Sequence, residues 1–71
     1  MKTARKVYKF EVAVEAAKTL GFVRVLENSI AGPGRLVTAH SDFLPSGEEF
    51  ATLRLARGRY RGNVAATIFK K

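Results

Sequence analysis

The sequence predicts an α+β fold with the element order β-α-β-β-α-β. This is the ferredoxin-like arrangement, a four-stranded antiparallel sheet with two helices on one face. Three observations carry that expectation. Four stretches are rich in β-branched and aromatic residues, two others carry helix spacing or helix caps, and glycine- or proline-bearing breaks separate them. No repeat, low-complexity tract or linker interrupts residues 1–71, so the chain reads as a single small basic domain.

The first strand is "RKVYKFEV" (5–12). Lys6, Tyr8, Phe10 and Val12 share one face there, and Arg5, Val7, Lys9 and Glu11 share the other. A helix follows in "EVAVEAAKTLGF", where Ala13, Ala16, Ala17 and Leu20 recur at helical spacing. Glu11 and Glu15 near its start and Lys18 near its end suit the helix dipole. Gly21 before Phe22 fits a glycine cap. "FVRVLE" (22–27) is the second strand, "NSIAGPG" (28–34) a loop, and "RLVTAH" (35–40) a third strand that would form a hairpin with the second.

"SGEEF" (46–50) has the form of a capping box, with Ser46 as N-cap and Glu49 three residues on. It predicts a second helix over about 47–57, closed by Gly58. A competing reading makes "ATLRLAR" a strand, with Leu53 and Leu55 on one face, that hairpins through "GRYRGN" into "VAATIF". That reading gives one helix on a five-stranded antiparallel sheet. The capping box and the closing glycine favour the helix. "VAATIF" (64–69) is the last strand and an expected pairing edge for a homodimer.

A chain this short buries only about 60% of its unfolded surface. Its 46% hydrophobic content is enough to exclude disorder. Without cysteine there is no disulfide framework and no thiolate metal site, which suits a reducing, cytoplasmic setting. No apolar run approaches 18 residues, and "MKTARKVYKF" lacks the apolar core of a secretory signal, so no membrane association is expected. Thirteen Lys and Arg against six Asp and Glu leave a net charge of +7, a field that attracts polyanions.

The densest basic stretch is "RLARGRYRG" (54–62). Its guanidinium groups at Arg54, Arg57, Arg59 and Arg61 match phosphate or carboxylate geometry bidentately, and Tyr60 between them can stack on a base. On the helix reading, Arg54 and Arg57 occupy its last turns and Arg59, Tyr60 and Arg61 the loop beyond. Lys2, Arg5, Lys6 and Lys9 form a second cluster. The plainer alternative for both clusters is a set of solvated charges. An RNA-recognition motif would need paired aromatics on the central strands. Tyr8 and Phe10 qualify on the first, but "RLVTAH" has none, so that class is rejected.

His40 is the only histidine. Its pairing with Ser41 or Asp42 would be needed for acid–base chemistry, and one histidine without recognisable partners does not make a catalytic site. "AGPGR" (31–35) lacks the residues of a phosphate loop, and the carboxylates show no metal-ligand spacing, so neither cofactor nor metal is expected.

"AAKTLGFVRV" followed by "RLVTAHSDFLPSGEEFATLRLARG" is similar to the small toxin endoribonucleases of the HicA family, over roughly half of the chain. The resemblance implies a double-stranded-RNA-binding-like fold. The family's catalytic histidine would fall in "ENSIAGPG", which has none, so no nuclease activity is carried over.

The functional expectation is a non-enzymatic module that binds DNA or RNA through phosphates with little sequence readout. The alternative is a small accessory or inhibitor protein, of the kind phages and mobile elements carry, that covers an acidic face of a nucleic-acid-handling partner.

Overall fold

The computed structural model describes residues 6–71. Five strands and one helix follow in the order β1 (Tyr8–Lys9), α1 (Phe10–Thr19), β2 (Phe22–Glu27), β3 (Leu36–Phe43), β4 (Glu49–Leu55) and β5 (Val64–Lys70). The strands form one sheet in the order β1-β3-β4-β5-β2, antiparallel at every pairing. The four-stranded sheet with two helices is therefore not formed. One helix on a five-stranded antiparallel sheet, the arrangement that follows from reading "ATLRLAR" as a strand, takes its place.

The correction turns on residues 44–55. Gly47 N–H donates to Leu44 O at 2.8 Å, closing a β-turn with Pro45 at its second position and Gly47 at φ +95°. Proline pre-sets the backbone for that position, and glycine enters the left-handed region freely. The apparent capping box is thus a hairpin turn, and Ser46 caps nothing. Beyond it, Ala51, Leu53 and Leu55 are buried while the residues between them are not. A period of two with two partner strands outweighs a cap signature. Register pairs Leu53 with Ala39 on one side and Ala66 on the other.

Three further expectations change. The first strand is only Tyr8–Lys9, because Phe10 already opens the helix, where its ring is buried. Phe10 N–H, unpaired within the helix, donates to Arg35 O at 2.7 Å, so β3 satisfies one orphan donor of the helix start. β2 does not hairpin with β3. It pairs with β5, and residues 28–35 carry the chain back across the sheet to β3. β5 consequently lies between β4 and β2 and is no free edge for pairing.

The core lies between α1 and one sheet face. Phe10, Ala13 and Ala17 of the helix pack on Phe22, Val37, Ala51, Leu53, Leu55, Ala66 and Ile68. Val37, Leu53 and Ile68 are wholly buried, each contributing about 1.5–3 kcal/mol. The alanines on both surfaces let the helix approach the sheet closely. Ten helical residues span only about 15 Å, less than the longer strands, so α1 leaves part of its own sheet face open. A groove of about 400 Å³ results, lined by Ala16, Leu20, Ala39, Ser41 and Ala51 among others. Ala16 and Leu20, expected in the buried stripe, are exposed.

Candidate nucleic-acid interface

The face of the sheet away from α1 carries no helix. Register and alternation lay it out in rows. Asp42, Phe50, Phe69 and Arg24 form one row across β3, β4, β5 and β2. His40, Thr52, Thr67 and Leu26 form the next. Thr38, Arg54 and Val64 form the third. β5 bulges at Ala65 between the second and third rows, since Leu53 pairs with Ala66 but Arg54 with Val64.

Beyond the third row, residues 56–63 connect β4 to β5. Arg57, Arg59, Tyr60 and Arg61 are all exposed there. Arg54 and Arg57 therefore stand on a strand and a turn, not on a helix. The turn is pinned by backbone bonds, Arg61 N–H to Gly58 O and Asn63 N–H to Tyr60 O, and Gly58 and Gly62 adopt φ of +91° and +87°. Arg54 Nη1 donates to Gly62 O at 2.9 Å, so this guanidinium lies along the turn. Arg54 and Arg61 line one shallow depression with Val7 and Thr38.

Topology brings other basic residues to the same end. Lys9 is in register with Leu36, and Ala56 N–H donates to Leu36 O. Arg35 and Arg57 each lie one residue outward from this bonded pair, and both are exposed. Arg35 was absent from the expected site. Only the β3–β4 pairing reveals it, because in sequence it is a lone arginine at the start of "RLVTAH", far from the 54–62 stretch. Lys6, also exposed, precedes β1, separated from it by Val7. Lys2 and Arg5 of the expected N-terminal cluster lie outside the described residues.

The carboxylates form two groups, and Glu11, Glu15 and Glu27 line a depression beside Gly32 and Pro33 of the β2–β3 loop. Asp42, Glu48 and Glu49 occupy the β3–β4 hairpin, at the opposite end of the sheet. Glu48 bonds Arg24 at 3.1 Å and Glu49 bonds Lys70 at 2.9 Å. Glu11 faces the β2–β3 loop, where its Oε1 accepts from Gly34 N–H at 3.4 Å. These two salt bridges are the ones formed among the described residues, and neither involves Lys9, Arg35, Arg54, Arg57, Arg59 or Arg61.

The aromatic pair that the sequence reading sought on the first strand lies on two others. Tyr8 lines the groove on the helix side and Phe10 is in the core. Phe50 of β4 and Phe69 of β5 instead stand side by side on the open face, with ring centroids 6.1 Å apart. The Arg24 guanidinium carbon lies 4.1 Å from the Phe69 ring centroid, and its Nη2 donates to Glu48 Oε2. The pair exists because β4 is a strand, since a helix over 50–57 would have no cross-strand neighbour for Phe50.

His40 and Asp42 project from the open face and Ser41 from the other, so β3 divides the three residues between two surfaces. Asp42 Oδ1 accepts from Phe43 N–H, and among the described residues no hydrogen bond joins His40 to Ser41 or Asp42. Nor do the described residues gather three or more His, Asp or Glu side chains into a metal site. No described helix is long and apolar enough to cross a membrane.

No family model, curated protein or solved structure matches this chain. The similarity to the HicA toxins gains no support from these comparisons, and the site is read from its own geometry.

Proposed function

We propose that this chain is a nucleic-acid-binding module, not an enzyme, that grips the phosphate backbone with little sequence readout. The supporting observation is the gathering of Lys9, Arg35, Arg54, Arg57, Arg59 and Arg61 at one end of the sheet, away from the Asp42, Glu48 and Glu49 end. Guanidinium groups free of carboxylate partners are available for bidentate phosphate contacts. Gly58 and Gly62, with open space around their Cα atoms, let a backbone approach the turn closely.

Fluorescence anisotropy with labelled DNA and RNA at several salt concentrations tests the reading. Affinity should fall with salt at a log–log slope of about −0.7 to −0.9 for each neutralised phosphate. The triple variant Arg57→Ala, Arg59→Ala, Arg61→Ala should weaken binding to all sequences alike and flatten the slope by about 1 per contacting arginine. Unchanged affinity in the triple variant removes the turn from the site. Absence of binding to any nucleic acid at physiological salt transfers the same surface, with Tyr60 as its anchor, to an acidic protein partner.

A further inference from the structure

The paired rings of Phe50 and Phe69 stand outside the core, on a face that no other element among the described residues covers. Cross-strand aromatic pairing stabilises a sheet by up to about 1 kcal/mol and would account for their adjacency. It does not account for their place in a graded surface. From the arginine turn, the open face runs through Arg54 to Thr52 and then Phe50 along β4, and through Thr67 to Phe69 along β5. Arg54 and Phe50 are four residues apart on one strand face, about 13 Å. Basic side chains sit at one end, the Phe50 and Phe69 rings flanked by Asp42 and Arg24 at the other, and Thr52 and Thr67 with His40 and Leu26 lie between them. The Arg24 guanidinium, bonded to Glu48, lies over the Phe69 ring 4.1 Å from its centroid and presents its own plane there.

Resting on the nucleic-acid reading above, we propose that the ligand is single-stranded. Its phosphates lie on the arginine turn and Arg54, and its bases turn down onto Phe50 and onto the Arg24–Phe69 stack. A duplex presents phosphates but keeps its bases stacked inside, so it reaches only the basic end. A single strand offers both parts at once. Stacking on an aromatic side chain accepts any base, consistent with low sequence readout.

The test compares wild-type protein on four labelled probes of equal length: single-stranded DNA, single-stranded RNA, duplex DNA and an abasic single strand. The single strands should bind about five- to a hundredfold more tightly than the abasic strand, which keeps its phosphates and lacks only bases. They should also bind more tightly than the duplex. Phe50→Leu and Phe69→Leu, which keep apolar bulk on the strands, should each reduce affinity for the single strands towards the abasic value. Neither should change the salt slope, whereas the arginine variants should. Because the abasic comparison uses unaltered protein, it stands even if a leucine variant fails to fold. Equal affinity for abasic, single-stranded and duplex probes overturns the base-stacking surface while leaving phosphate binding intact. Binding to none of them overturns both readings.

Discussion

Ser46 and Gly47 are adjacent in the sequence, and the two readings of this segment assign them opposite importance. As a helix N-cap, Ser46 would lose about 1 kcal/mol on replacement by alanine. In the hairpin its side chain makes no hydrogen bond within the described residues, and Ser46→Ala should be close to neutral. Gly47 holds φ at +95° with nothing within 4 Å of where a Cβ would stand. The penalty for Gly47→Ala is therefore conformational alone, about 1–2 kcal/mol. In a domain of this size that lowers the melting temperature by several degrees. Thermal unfolding of the two variants checks it. A large loss at Ser46 with none at Gly47 would restore the helix.

At the level of elements, the decisive quantity is how many neighbours each strand has. β4 lies between β3 and β5, and β5 between β4 and β2, so nearly every amide in both has a partner. β2 pairs only with β5 within the described sheet, and every second amide should face outwards. Hydrogen exchange should show continuous protection along Phe50–Leu55 and alternating protection along Arg24–Glu27. Continuous protection in β2 would mean that a second chain pairs with it, moving the expected dimer edge from β5 to β2. The boundaries of β2 and β5 were legible in the sequence because short β-branched and aromatic runs there are bounded by Gly21, Asn28 and Asn63. The helix is legible in its alanine spacing, but the alternation of 5–12 masks its first turn at Phe10–Val12. What local pattern does not contain is partnership. Neither the β2–β5 pairing nor the crossover to β3 leaves a mark in the intervening residues. The Phe50–Phe69 pair and the Arg35–Arg57 juxtaposition depend on that partnership, so half of the candidate surface was invisible until the sheet order was known.

On the scale of the whole molecule, the charges are distributed against stability. Net charge is +7, and Arg57, Arg59 and Arg61 alternate within a five-residue span of one exposed turn, closer together than the Debye length of about 10 Å at 0.1 M salt. Like charges at that spacing repel in the folded state, and the described salt bridges neutralise Arg24 and Lys70 at the other end instead. Sodium chloride should therefore raise the melting temperature as it screens the turn. Replacing Arg57, Arg59 and Arg61 by glutamine should raise the low-salt melting temperature and leave a much weaker response to added salt. Calorimetry on the two proteins from 20 mM to 500 mM salt measures both effects. An identical salt response would show that the repulsion resides elsewhere in the chain. A diminished response would locate it in the turn, where a phosphate backbone would relieve it. Binding and folding would then be coupled through the same three guanidinium groups, and nucleic acid should stabilise the wild-type fold more than the glutamine variant.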